Sequence, residues 1–475
     1  MRNGTHGQQA ADIATRKHPF LTLKTRVQLF LYRVAWVILS PIILAYFLLR
    51  SRRDSAYRQN IPERFGFYKS PKPATVWLHA NSMGEVRSAV PIIHKYLNQG
   101  LKIVVTNMTP AGRQTTQEIF APEIAAGSLQ FSYIPFEFHG AYQRFFDAFQ
   151  PKFGLVMEAE IWPMMIDRSR HFKVPLFLCN AQYSDHKSGR APDQFLAKIC
   201  TGYVGIFAKS KPQADRFRHI GCTHIAITGE TRFDQNVPQN LLDSVILVRE
   251  KLAPMSRKIV TIASAVEGEE SENLALIDEI RNTAISRGET APLIIYVPRA
   301  TERFVPITQI LNDKFTVQNR SVLFDDNLCI VGTVEPNLDI LVGDSFGEMY
   351  FYLGLSDAVV VGGGFDRRGA HNIIEPIAVQ KPVFVGPYTW SIEYPAKEAL
   401  DAGVLKQADT PALLAVDVVD GLFGCDDINV RWKALLDFYR AHTGSAQKVI
   451  DCLPRLLRET GFAKIVDDAR LSETP

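Results

Sequence analysis

Short apolar runs recur along most of the chain, each ending in a polar or glycine-containing stretch, with segments of helical spacing between them. The runs ATVWLHA (74–80), LKIVVTN (101–107), LQFSYIP (129–135), FGLVMEA (153–159), VPLFLCN (174–180), YVGIFAK (203–209) and THIAITG (223–229) predict one series of strands. Between the first two, VRSAVPIIHKYLNQG has apolar residues at helical intervals and a glycine where the helix should stop. The pattern restarts with KIVTIAS (258–264), PLIIYVP (292–298), DILVGDS (339–345), DAVVVGG (357–363) and KPVFVGP (381–387). Strands apolar on both faces and alternating with helices predict an α/β fold made of two Rossmann-like domains, each with a parallel sheet. The halves join near TRFDQNVPQN (231–240), and a crevice between their carboxyl-edge loops is the expected ligand site, as in other open parallel sheets. The stretch 432–458 predicts helices, with fraying beyond 468. The expected division is 1–53, a basic segment with an anchor; 54–230, a first Rossmann-like domain; 231–445, a second; and 446–475, terminal helices and tail.

One apolar run does not fit the strand pattern. Between Arg33 and Arg50 lies VAWVILSPIILAYFLL, sixteen uncharged residues preceded by VQLFLY. A bilayer crossing needs about 20 residues, so the run spans only with VQLFLY included and Arg33 near the interface. A cleaved signal peptide is disfavoured because the run starts late and no A-x-A site follows. A buried core helix is disfavoured by the cluster Arg50, Arg52 and Arg53 and by Trp36 and Tyr46, which suit a membrane interface. A membrane anchor, spanning or half-inserted, is the expectation, with the Arg cluster holding the rest of the chain on the cytoplasmic side.

Charge sharpens this picture. The chain carries a formal +3, yet residues 1–60 hold ten Arg and Lys against Asp12 and Asp54, so the other 415 residues sum to −5. That argues against a nucleic-acid surface and concentrates basic character beside the apolar run. The 46% hydrophobic content is that of a globular protein. Six cysteines (Cys179, Cys200, Cys222, Cys329, Cys425 and Cys452) form no CxxC and read as reduced thiols.

The candidate chemistry sits at the strand ends. Ser82 and Glu85 follow the first strand in the spacing of a capping box, yet the same place lets Glu85 take a proton from a hydroxyl nucleophile, and the residues alone leave both readings open. Glu158 and Glu160 share a face if their strand is regular, which would raise the pKa of one; alternatively they end the strand and cap the helix after Pro163. Thr106, Thr109 and Asn180 lie at the same edge. No DxD-like cluster or His-x-x-His pair asks for a metal. In the second half, Gly362, Gly363 and Gly364 permit close backbone approach. The helix expected from His371 offers amides to a phosphate and places Asn372 and Glu375 on one face, Glu375 towards a ribose. Arg299 and the turn containing Ser345 and Glu348 add a cation and backbone donors. The glycines do not form the GxGxxG fingerprint.

In order along the chain, HANSMGE (79–85), EAEIWP (158–163), NAQYS (180–184), SAVEGEE (264–270), PRATERF (298–304), GDSFGE (343–348) and GAHNIIEPIA (369–378), after a basic apolar segment and ERFGF (63–67), resemble the 3-deoxy-D-manno-octulosonic acid (Kdo) transferases of lipopolysaccharide assembly. The resemblance covers about residues 27–445. It implies a membrane-associated inverting glycosyltransferase of the GT-B type that moves Kdo from CMP-Kdo to the lipid A precursor on the cytoplasmic side of the inner membrane. It implies no metal or other cofactor, with CMP-Kdo as donor substrate. It places the general base on Glu85 and CMP-binding groups on Arg299, Gly363, Asn372 and Glu375; Ser82, Glu158, Asn180, Arg232, Ser345 and Glu348 are expected as further substrate contacts. The chain departs from the family pattern at Ala265 and Val266, where Thr-His is usual, at Ala300 and Thr301 for His-Pro, at Gln182 for Arg and at Arg232 for Lys. A divergent paralogue using a modified Kdo or another glycan, a catalytically inactive assembly protein, and a UDP-sugar transferase or epimerase are the alternatives. An intact Glu85 disfavours the inactive protein, and the basic anchor with the full motif order disfavours the UDP-sugar enzyme.

Overall fold

A computed structural model of the chain describes residues 22–52, 54–183, 194–424 and 428–471. The chain divides into two compact units, one running to Gln235 and resuming at Gly444, the other Asn236–Thr443.

Among the described residues of the first unit, seven parallel strands form a sheet in the order β3-β2-β1-β4-β5-β6-β7. They are β1 (Val76–His79), β2 (Ile103–Asn107), β3 (Leu129–Tyr133), β4 (Phe153–Met157), β5 (Leu176–Ala181), β6 (Gly205–Ala208) and β7 (Ile225–Ile227). Alternating residues feed opposite cores: Trp77, Val104, Val156 and Leu178 pack on one face, Leu78, Val105, Leu155 and Phe177 on the other. This two-sided burial is why the runs read as continuously apolar. The second unit repeats the design in the order β10-β11-β9-β8-β12-β13-β14. Its strands are β8 (Ile259–Ala265), β9 (Leu293–Pro298), β10 (Val317–Asn319), β11 (Ile340–Val342), β12 (Ala358–Val361), β13 (Val383–Val385) and β14 (Leu405–Gln407). All twelve runs read from the sequence become strands. The two unforeseen strands, β10 and β14, are three residues long and sit at the sheet edges.

The helix Ser445–Glu459 belongs to the first unit, burying Ala446, Val449, Ile450, Leu453 and Leu457 against its sheet at helical spacing. The Asp234 carboxylate caps its start, accepting from the N–H groups of Gly444 at 2.5 Å and Ala446 at 2.6 Å. Packing continues past 468, where fraying was expected, since Leu471 is buried; residues 472–475 of that stretch lie outside the described residues.

The apolar run is part of a longer helix, Leu23–Arg50, started by Thr22, whose hydroxyl accepts from Thr25 N–H. Its 28 residues span about 42 Å, and by length and composition it could cross a membrane. Pro41 lacks the N–H that would reach the Val37 carbonyl, and the Ser40 hydroxyl donates there instead at 2.8 Å. One face docks on the first unit. Tyr32 donates to Glu137, Arg33 pairs with Asp167 at 2.7 Å, Trp36 packs on Phe136 and Phe138, and the Arg64 guanidinium lies 4.7 Å from the Phe47 ring. The other face leaves Val27, Phe30, Leu31, Val34, Ile38, Ile42 and Leu49 exposed.

Candidate functional site

In the first unit the polar residues converge where β1, β4, β5 and β6 end. Ser82 caps the helix Met83–Asn98, its oxygen accepting from Glu85 N–H at 3.5 Å and its hydroxyl donating to Glu85 Oε1 at 3.2 Å. Glu85 Oε2 accepts from Asn81 N–H at 2.8 Å. Ser82 thus caps the helix as expected, while Glu85 reaches past it to the N–H of the preceding residue instead of Ser82's own, and these bonds fix the carboxyl group in one orientation. Burial, then the nearby Glu158 and Glu160, raise the Glu85 pKa from 4.5 to about 8, against the lowering effect of the Asn81 and Ser82 hydrogen bonds.

Glu158 and Glu160 do not share a strand face, because β4 ends at Met157 and Glu158 adopts a left-handed φ of 61°. Glu158 pairs with Arg232 at 2.8 Å, while Glu160 accepts from Asn81 Nδ2 at 3.1 Å and from the Trp162 indole. The carboxyl group whose pKa the cluster raises is Glu85, outside the pair singled out in the sequence. Asn180, expected to meet substrate, is fully buried: its Nδ2 donates to Glu230 at 2.6 Å and its Oδ1 accepts from Thr231 N–H at 3.0 Å. Arg232, also assigned to substrate, donates from Nε to Ser88 Oγ at 2.9 Å as well as to Glu158, tying the second turn of the Ser82-capped helix to the end of β4.

Two residues of this cluster escaped sequence reading. Lys209, buried at the end of β6, pairs with Glu230 at 2.7 Å, donates to Gln182 at 3.1 Å and lies 4.0 Å from Glu158. Burial would raise the Glu230 pKa, but Lys209 and Arg232 hold it below the usual carboxylate range. The available signal was a lysine closing an otherwise apolar strand, YVGIFAK.

In the second unit the glycines of 362–364 serve the chain's own backbone. A Cβ on Gly362 would lie 2.5 Å from the Ser264 carbonyl, where β8 is irregular; one on Gly364 would lie 2.5 Å from Gly386 N. Gly363 has φ +85°, and its Cβ would lie 2.6 Å from the Gly369 carbonyl. The close approach these glycines permit is to the chain itself, since Gly362 N–H donates to Ala263 and Gly363 N–H to Glu269 Oε2. The following helix covers only Ile374–Ala378 and does not start at His371. Asn372 precedes it, with Oδ1 accepting from Ile374 N–H at 3.0 Å, so Asn372 and Glu375 do not share a helical face.

Arg299 is exposed at the end of β9 and donates to His371 Nδ1 at 2.6 Å. Burial, then Arg299 and Arg368, lower the His371 pKa to about 4, so the ring is neutral and can accept that bond. Ser345 and Glu348, expected to meet substrate, belong to an internal network. Arg320 grips both Glu348 oxygens at 2.7 and 2.6 Å, and Ser345 donates to the same carboxylate at 2.6 Å. Among departures from the motif pattern, Ala265 is buried and its carbonyl accepts from Arg299 N–H, so this position supports Arg299 through the backbone alone.

The first unit thus holds a buried, preorganised carboxyl group that can accept a proton near neutral pH, and the second carries an exposed guanidinium braced by a neutral imidazole. Residues 59–235 match the family described as 3-Deoxy-D-manno-octulosonic-acid transferase (kdotransferase). The chain is 30% identical over 433 residues to the 3-deoxy-D-manno-octulosonic acid transferase of Bordetella pertussis, covering 89% of this chain and 98% of that one. It is 28% identical over 441 residues to that of Haemophilus influenzae, covering 89% and 97%. A solved glycosyltransferase from Rickettsia africae matches 81% of this chain and 99% of its own at a TM-score of 0.54 and 11% identity, a likeness of fold alone.

Proposed function

The chain belongs to the family of 3-deoxy-D-manno-octulosonic acid transferases, and on that premise we propose that it is an inverting glycosyltransferase moving Kdo from CMP-Kdo to a hydroxyl of the lipid A precursor. Glu85 takes the proton of the acceptor hydroxyl as its oxygen bonds to the anomeric carbon of Kdo. The bond from that carbon to the phosphate oxygen breaks, and CMP leaves with the electron pair. Arg299, braced by His371, opposes the charge on the departing phosphate, and Glu375 faces the ribose. The observation that carries this reading is the Glu85 carboxyl group, held by Asn81 and Ser82 with its pKa raised to about 8. Few carboxyl groups that only cap a helix would be so poised to gain and lose a proton.

The exposed face of the Leu23–Arg50 helix, with Arg50 and Arg52 after it, would rest in the inner-membrane lipid surface and bring the first unit to its lipid acceptor, the catalytic body lying on the cytoplasmic side. Mass analysis of the product made from CMP-Kdo and lipid A precursor tests the assignment. An acceptor heavier by whole Kdo units is expected. CMP release without acceptor gain, or no reaction at all, refutes it, and the second outcome would favour an inactive assembly protein. The replacements at Val266, Ala300 and Gln182 favour one other reading, a modified Kdo or a different glycan acceptor, which the same assay detects when those substrates are supplied.

A further inference from the structure

A carboxylate of the chain fills the loop after β12. Glu269 is 1% exposed; its Oε2 accepts from Gly363 N–H at 2.7 Å and its Oε1 from Phe365 N–H at 2.6 Å and Asp366 N–H at 3.0 Å. Three amides of one short loop converging on two oxygens is the way backbone nests hold anions. Burial disfavours the charged form of Glu269, whereas these three N–H groups favour it.

The bonds continue towards the proposed donor groups. Glu269 follows β8 and the loop follows β12, neighbouring strands of the sheet, so the carboxylate ties two adjacent strand ends together. His371 N–H donates to the Gly362 carbonyl at 3.1 Å, at the start of the same turn. Arg299 in turn donates to the His371 ring. Glu269 is thus linked through the 362–366 turn to His371 and Arg299 by successive hydrogen bonds.

We infer that Glu269 is a positioning residue for the donor site, its carboxylate serving as the built-in anion that shapes the 363–366 loop and through it orients His371 and Arg299. The inference rests on the reading that the second unit binds the CMP portion of the donor. Calorimetric titration of CMP into the wild-type chain, Glu269→Ala and Glu269→Gln, each with and without sodium formate, separates the two. A wild-type chain that fails to bind CMP defeats the donor reading itself.

If wild type binds, Glu269→Ala should bind about tenfold more weakly, the scale for losing hydrogen bonds to a charged group. Formate, filling the emptied nest, should recover much of the loss while leaving wild type unchanged. Glu269→Gln keeps the shape and one acceptor oxygen, so it should bind with intermediate affinity and ignore formate. In turnover, the loss should appear in KM for CMP-Kdo, with kcat changed by no more than about twofold. Equal CMP affinity in wild type and folded Glu269→Ala overturns the inference. A loss in Glu269→Ala that formate leaves untouched also overturns it, assigning Glu269 to folding alone. Where Glu269→Ala does not fold, Glu269→Gln decides, and wild-type affinity there is likewise fatal.

Discussion

Replacing Glu85 by Gln should make the protein less active and, at high pH, more stable. With its pKa at about 8 against an ordinary 4.5, the carboxyl group holds its proton more tightly folded than unfolded. Stability from the protonated form is therefore fully present below about pH 4.5 and lost as pH rises through about 8. The gap corresponds to a loss on the order of 5 kcal/mol once Glu85 is ionised. Gln cannot ionise, so the melting temperature of Glu85→Gln minus that of wild type should grow from about pH 5 to pH 9. If Glu85 is the proposed general base, the same proton sets the rate. At pH 7 only about a tenth of the molecules carry the basic form, and wild-type kcat/KM should rise about 50-fold between pH 6 and pH 8. A base with an ordinary pKa would give a flat profile over that interval. Turnover of Glu85→Gln should fall about 100-fold or more. Thermal melts and initial rates on matched buffers check both limbs. Parallel melting curves at every pH would refute the burial argument, and near-wild-type turnover in Glu85→Gln would leave only the capping role.

Two further outcomes follow from the fold. Ile38→Glu with Ile42→Glu alters only the exposed face of the Leu23–Arg50 helix, so co-sedimentation with vesicles containing anionic lipid should fall about tenfold or more while the melting temperature is retained; unchanged sedimentation would move the attachment to another surface. Gly363→Ala must place a Cβ 2.6 Å from the Gly369 carbonyl at φ +85° and should destabilise the second unit by roughly 2–3 kcal/mol, read as a lower melting temperature; a wild-type melting temperature would show that the turn can relax.

Most strands were legible because they are buried on both faces, leaving an unbroken apolar run; the half-exposed edge strand Ile225–Ile227 was read from its apolar IAI alone. The equally short edge strands Val317–Asn319 and Leu405–Gln407 escaped because their residues, VQN and LKQ, are mostly polar. The long N-terminal helix was read only over its uncharged centre, since Arg26 and Arg33 interrupt the run although Arg33 finds Asp167 across the interface. At the candidate site, motif spacing put Glu85 and Arg299 close to the ends of their strands, where the structure has them. It could not say which polar residues turn inward. Asn180 and Glu348 looked available, but their partners Glu230 and Arg320 come from distant segments. Glu269 was visible as a letter in SAVEGEE, yet its role depends on amides nearly a hundred residues later.

The Asp234 cap on Gly444 and Ala446 makes the second unit a single excursion from the first. The chain departs just after Asp234 and comes back bonded to that same residue, so the ends of the inserted segment are neighbours. A short linker from 235 to 444 would close the first unit with its seven strands and its covering Ser445–Glu459 helix intact. The excised segment would keep its own sheet and the apolar clusters packed against it. A gene encoding such a chain can exchange the inserted unit for another at two cuts without disturbing the first, a route by which, under the roles proposed above, the sugar transferred could change while the acceptor stays the same.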